Sequence, residues 1–252
     1  MAPWPFITLA GGGIGLLMGL FGVGGSSVAT PLLSLLGVPG LASVASPLPA
    51  TIPSAVVGAI PYLRSGEARP KAAAWSLIGA VPATIIGGIL SEQIGGPALL
   101  VASGVVLVVV GVRVILPIED AAREAGTKRR LNRPVLVGAA AGVGLFTGVL
   151  ANGGAFLLMP MYLLVFGLRM RQAVGTSLVV VAALSIPTLI THWSLGHVDW
   201  GVSAALLAGQ LPGSMIGSQL AKRVTTPGVA RRWFGRFLIV FGVAFTIYRF
   251  AS

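Results

Sequence analysis

Apolar residues run along this chain in long blocks, with polar residues gathered between them. Ten such blocks lie near residues 5–22, 26–37, 44–63, 72–91 and 97–116, then 134–150, 155–168, 174–195, 201–221 and 233–250. A helix that crosses a membrane needs about 20 apolar residues, and about 17 is the lower limit. The second and seventh blocks, 26–37 and 155–168, fall short of that. Each follows a run that would continue as one span but for its glycines. In Gly19-Leu-Phe-Gly-Val-Gly-Gly-Ser-Ser27 four residues are Gly, each about 1 kcal/mol worse than Ala inside a helix. A break at that depth leaves backbone groups that hydrocarbon cannot satisfy, so protein or a watery cavity must cover it.

The two halves of the pattern repeat each other. Gly15 to Gly19, Gly24-Gly25 and Pro31 match Gly144 to Gly148, Gly153-Gly154 and Pro160. The offset is 129 residues (144 − 15) and becomes 130 (175 − 45) further on. There Ala45-Ser46-Pro47-Leu48 sits over Gly175-Thr176-Ser177-Leu178, Gly66 over Gly196, and Gly79-Ala80-Val81-Pro82 over Gly209-Gln210-Leu211-Pro212. The chain divides into a first repeat, 1–118, a linker, 119–133, and a second repeat, 134–252. Paired Pro82 and Pro212 are expected to kink their spans.

Charge discriminates between topologies. With 5–36 and 134–168 as single spans, the 17 Lys and Arg residues split 10 to 7 across the membrane. With each broken run turning back at its glycines, all of them but Arg249 share one side, a split of 16 to 1. Basic residues concentrate in cytoplasmic loops, which favours the hairpins. The fold expected is an all-α integral membrane protein of two inverted repeats. Each is a glycine-broken hairpin, re-entrant or short, followed by three transmembrane helices. Both termini then face outside and the linker is cytoplasmic.

Composition agrees. Of 252 residues, 55% are hydrophobic and only 9% charged, with mean hydropathy +0.94; soluble domains carry about 25% charged residues. The net charge of +11 reads as orientation in a bilayer and not as nucleic-acid binding. Cys is absent, which excludes disulfides and thiolate metal sites. No cofactor pattern and no nucleophile–base pair occurs. The first basic residue is Arg64, so the charged start of a signal peptide is missing.

Inverted repeats with broken helices are a transporter architecture. The hairpin tips, Gly22, Gly24, Gly25, Ser26 and Ser27 in one half and Asn152, Gly153 and Gly154 in the other, each open a short helix. Helix N-termini carry about +0.5 charge and free N–H donors, so the tips are candidate substrate-binding residues for an anion. No acid lies inside an apolar block, and cation sites generally need one. Close helix packing explains Gly15, Gly19, Gly144 and Gly148 better. Thr176 and Ser177 face the site or bond back to their own helix. Gln210 reaches the cavity or ties two helices together. His192, the one group inside a span that titrates near neutrality, serves substrate or proton or simply hydrogen-bonds at the interface. Arg169 and Arg171 gather anions or only set topology.

Gly144-Leu-Phe-Thr-Gly148, Asn152-Gly153-Gly154, Ala173-Val-Gly-Thr-Ser-Leu178 and His192-Trp-Ser-Leu-Gly-His-Val-Asp-Trp200 resemble the sulfite exporter TauE/SafE family of membrane permeases. The first half carries the matching Gly19-Leu-Phe-Gly-Val-Gly-Gly25. It departs at Ala45-Ser46-Pro47, where the family often has a Thr-Ser pair, and its Gly66-Glu67-Ala68-Arg69 lacks the Val-Asp-Trp ending. The resemblance implies a plasma-membrane carrier of small sulfur oxyanions such as sulfite or organosulfonates, with a proton or sodium ion as coupling ion. The alternatives are a carrier of another small organic anion, and a membrane assembly factor that transports nothing.

Overall fold

The computed structural model describes residues 4–22, 24–94, 132–150, 155–162 and 166–221, with scattered positions in 101–115 and 235–247. The helices are α1 (Trp4–Phe21), α2 (Gly25–Leu35), α3 (Gly40–Ala45), α4 (Pro47–Arg64), α5 (Pro70–Ile94), α6 (Arg133–Leu150), α7 (Ala155–Pro160), α8 (Met170–Ser194) and α9 (Trp200–Leu220). No described residue lies in a strand. The expected spans at 97–116 and 233–250 fall largely outside the described residues, as does the linker. Five stretches are long and apolar enough to cross a membrane: Trp4–Phe21, Gly40–Arg64, Pro70–Ser91, Arg133–Leu150 and Met170–Ser194. The molecule is an all-α, multi-pass membrane protein.

Its polarity is arranged for lipid. Ile85, Ile86 and Ile89 of α5 and Ile186 and Ile190 of α8 point outward, whereas Ser26, Thr51, Ser54, Thr84, Ser177, Ser185, Gln210 and Ser214 are fully buried. Several buried hydroxyls return to a carbonyl of their own helix, as Thr51 does to Pro47 O at 2.9 Å and Thr188 to Leu184 O at 2.7 Å. Such local bonds let a polar side chain sit in a helix interior.

Helix ends follow from local chemistry. The Asp199 carboxylate accepts from Gly201 N at 2.9 Å and Val202 N at 3.1 Å and so caps α9. Pro70 occupies the first position of α5, where its missing N–H costs nothing. Helices α4 and α8 end on Gly66 and Gly196, with φ of 70° and 71°. The Gly40–Arg64 stretch is interrupted at Ser46, before Pro47. Helices α5 and α9 instead run uninterrupted through Pro82 and Pro212.

Two helix pairs, α1 with α9 and α5 with α6, make the most extensive packing. Both are glycine seams in which backbone meets backbone. A Cβ on Gly15 would strike Gln210 O, and one on Gly19 would strike Ser214 O. In the other pair Gly144 meets Ala80 O and Gly148 meets Thr84 O. From the facing helices Gly209 meets Thr8 O and Gly217 meets Leu16 O, while Gly79 meets Val137 O and Gly87 meets Leu145 O. Each contact in one seam maps on to the other with the sequence offset of 129 or 130. Close packing is thus the role of Gly15, Gly19, Gly144 and Gly148.

Contacts advance together along each seam, so the paired helices run parallel. Trp4 lies against Gly201 at one end of α1 and α9, where exposed Trp193 and Trp200 also stack edge to face. Their other ends, Phe21 and Leu220, meet Tyr62, Glu67, Arg169 and Arg171. Helix α1, 18 residues long, covers about 27 Å at 1.5 Å per residue, nearly a hydrocarbon thickness. The first hairpin is therefore lopsided. Its outgoing arm reaches the arginine end, whereas α2 begins at Gly25, packed beside Ile14 near the middle of α1.

Candidate functional site

Gly22 makes the turn after α1. Its N–H bonds Met18 O at 2.8 Å and its φ is +65°, a left-handed conformation that side chains resist. Space excludes a side chain too, because a Cβ would sit 2.8 Å from Ser177 Oγ and 3.0 Å from Val174 Cα. Ser177 Oγ donates to Val174 O at 2.9 Å and lies 3.3 Å from Gly22 O. Its hydroxyl thus bonds back to its own helix while touching the tip.

From Gly22 the chain rises to Gly24, which is extended at ψ 129° and caps α2. Gly25 is pressed against the Gln210 amide, so that any Cβ would collide with Nε2. Ser26 and Ser27 follow in the first turn of α2, whose N–H groups have no partner within the helix. Gln210 Nε2 reaches Met18 Sδ at 3.5 Å. Its Oε1 and the Ser26 Oγ are buried without a hydrogen-bond partner. Leaving such a group unpaired costs about 1–3 kcal/mol. The structure carries two of them beside the positive end of one helix, and Ser54 Oγ and Ser185 Oγ share the same condition. Gln210 also ties α9 to the α1–α2 hairpin.

Two expected site residues are engaged elsewhere. The Thr176 hydroxyl donates to Gln172 O at 2.6 Å and accepts from Arg69 N at 3.0 Å, holding the loop that leads into α5. In the other half Ser46 Oγ accepts from Asp199 N at 2.9 Å and holds the loop into α9. His192 is fully buried, with Nε2 3.4 Å from Gly148 O and Nδ1 3.3 Å from His197 Nδ1. Asn152, Gly153 and Gly154 lie outside the described residues.

Tyr62 was not legible as a partner of the tip. Its hydroxyl donates to Gly19 O at 2.9 Å, three residues before the turn. Carrying the Gly66–Gly196 match back by four residues places Tyr62 over His192, and Gly148 is the counterpart of Gly19. The two joints are equivalent, one built from a phenol and the other from an imidazole.

A cavity of about 610 Å³ opens at the arginine end. Leu20 and Phe21 of α1, Tyr62, Val174 and Leu220 form its walls, and Glu67, Arg169 and Arg171 stand among them. Val174 touches the turn at Gly22, so the cavity reaches the first tip.

Comparison with known proteins agrees with this architecture. Residues 7–245 match the family described as Sulfite exporter TauE/SafE. The probable membrane transporter protein YjnA of Bacillus subtilis is 30% identical over 239 residues, covering 86% of this chain and 90% of that protein. A probable membrane transporter protein of Xylella fastidiosa is 30% identical over 253 residues, covering 94% and 92%. No solved structure matches. With a family match over nearly its whole length and relatives matched almost end to end, the chain belongs to the sulfite exporter TauE/SafE family.

Proposed function

We propose that the protein is a secondary transporter that moves small sulfur oxyanions, sulfite or organosulfonates, across the plasma membrane by alternating access. The observation that carries the reading is the pair of partnerless oxygens, Ser26 Oγ and Gln210 Oε1, buried beside the N-terminus of α2. Oxygens of a bound anion would accept from the Ser26 hydroxyl and from the first N–H groups of α2. The Gln210 amide would turn its donor end toward them, and the helix end supplies positive potential without a formal charge. Binding of this kind needs no covalent step.

The second tip, Asn152 to Gly154, completes the site in this reading, approaching from the opposite repeat. The matched glycine seams support two repeats related by a pseudo-two-fold axis, the arrangement that lets one repeat rock against the other. Arg64, Arg69, Lys71, Arg133, Arg169 and Arg171 would face the cytoplasm and both termini the outside. Family membership supports transport over an assembly role; sulfite or sulfonate as substrate rests on the family's description.

Uptake into proteoliposomes tests this. Sulfite and ethanesulfonate are offered to wild type, Ser26→Ala, Gln210→Leu and Asn152→Leu. Flux should fall about tenfold or more in each variant, the loss of one hydrogen bond to a charged ligand being worth about 1.5–3 kcal/mol. Equal flux in all four, well above empty vesicles, would sink the site. Absence of flux for either anion in wild type would sink the substrate class.

A further inference from the structure

The cavity at the arginine end contains a charge arrangement that the binding tip does not use. Arg171, at the start of α8, pairs through Nε with the Glu67 carboxylate at 2.7 Å. Ser65 Oγ also donates to that carboxylate, at 3.2 Å. The Arg171 guanidinium sits 6.0 Å from the centre of the Tyr62 ring. Tyr62 in turn holds Gly19, just before the turn at Gly22. The pair bridges the two halves of the sequence across the cavity wall, and both side chains keep partial access to water, 37% and 28%. A partly exposed pair is a weak one and can be exchanged for another partner. Below it the walls are mostly apolar, from Leu20, Phe21, Val174 and Leu220, so an entering anion finds few other charges to bind.

The matched end has nothing comparable. Position 171 maps on to Leu41 and position 67 on to His197. Only one end of the molecule presents a guanidinium with a displaceable carboxylate.

We propose that Arg171 is the anion-capture residue of this cavity, held in readiness by Glu67. The incoming oxyanion takes the guanidinium from the carboxylate, in the planar two-oxygen geometry that arginine favours, and is passed down the wall toward Gly22 and Ser26. The proposal rests on the transport reading, but its first test does not require transport.

If the pair were only a structural clasp, removing either partner would act in the same direction. Capture makes the two variants diverge. Arg171→Gln removes the receptor, whereas Glu67→Gln removes its competitor. The first readout is modification of Arg171 by phenylglyoxal, followed by peptide mass spectrometry on purified protein with sulfite or ethanesulfonate present. Both anions should protect Arg171 in wild type, and in Glu67→Gln they should protect at a concentration several-fold lower. Absence of protection by either anion would overturn the proposal.

The second readout is KM for the same anions in inverted and right-side-out vesicles. Arg171→Gln should raise KM about tenfold from the arginine face only, with Vmax within twofold, and Glu67→Gln should lower it. Arg171→Lys, which keeps charge but loses the fork, should fall between wild type and Arg171→Gln; it also serves if the glutamine variant does not fold. A KM shift of the same sign in Glu67→Gln and Arg171→Gln would leave only the clasp. Anion protection of Arg171 in a protein that moves neither anion would refute the transport reading and keep the capture residue. Flux with an unprotected Arg171 would do the reverse.

Discussion

The α1–α9 and α5–α6 seams are one joint built twice, and what differs between them marks the chemistry. Backbone contacts coincide pair by pair: Gly15 on Gln210 O answers Gly144 on Ala80 O, and Gly19 on Ser214 O answers Gly148 on Thr84 O. Side chains do not coincide. Gln210 stands where the other seam has Ala80, and Tyr62 stands where the other has His192. Backbone geometry is what both halves must share for the helices to approach. Side chains are free to diverge wherever the two faces of the membrane ask for different things.

The largest effect should come from attacking what is shared. Gly15→Leu and Gly144→Leu each drive a side chain into carbonyl backbone, where nothing flexible can give way. Overpacking of a tight core costs about 1–3 kcal/mol or more, and here it should abolish the folded peak in size-exclusion chromatography. Gly13→Leu and Gly142→Leu are the matched controls, since a Cβ at either meets nothing within 4 Å. These should elute as wild type. Equal behaviour of Gly13→Leu and Gly15→Leu would break the account of the seam.

How much of this the sequence disclosed depends on where the information lies. Apolar blocks located helices such as α5 and α8, because lipid-facing and buried positions are both apolar over a whole span. Glycine pairs at spacing four announced the seams, since only small residues permit that approach. The lopsided hairpin was not legible: nothing in Gly22-Val23-Gly24 says that α1 ends deep while α2 begins near its middle. Pro82 and Pro212 read as kinks, yet α5 and α9 run through them, and proline is tolerated in membrane helices when neighbours re-satisfy the freed backbone. The cavity could not be seen at all. Its walls come from residues 20–21, 62–67, 169–174 and 220–221, helix ends that only the fold gathers. Ser26 and Gln210 were nameable singly as polar residues in apolar blocks. Their shared lack of partners was not.

A second, smaller effect follows from the asymmetry at Gln210. Gln210→Ala makes the two seams alike at that position and removes the partnerless Oε1. Stability should hold or rise by about 1 kcal/mol, because an unpaired buried oxygen is lost, while sulfite or ethanesulfonate flux drops about tenfold. A loss of stability with flux unchanged would make Gln210 a helix tie only.

Smaller still are the loop clasps, Thr176 to Arg69 N and Ser46 to Asp199 N. Thr176→Val and Ser46→Ala each leave a backbone N–H without its acceptor, at about 1–2 kcal/mol. The melting midpoints should fall by similar amounts if the clasps are equivalent. Flux changes in Thr176→Val that exceed those in Ser46→Ala would return Thr176 to the binding site.

The finest discrimination lies in the paired joints. Tyr62 bonds Gly19 O at 2.9 Å with one donor, and its ring lines the cavity. His192 contacts Gly148 O at 3.4 Å and spends its other nitrogen on His197. Tyr62→Phe keeps the ring and deletes one bond, which is worth about 0.5–1.5 kcal/mol, a fall of roughly 2–4 °C in melting midpoint per kcal/mol for a chain of this size. His192→Phe deletes a longer contact and a histidine pair, and it leaves His197 to find water. If both joints serve only to pin a carbonyl, the shorter bond should matter more, and Tyr62→Phe should be the costlier change. A larger loss from His192→Phe, in flux more than in melting, would mean that the imidazole does something a phenol in the matched position does not. It would place the working asymmetry of the molecule at the end away from the arginines.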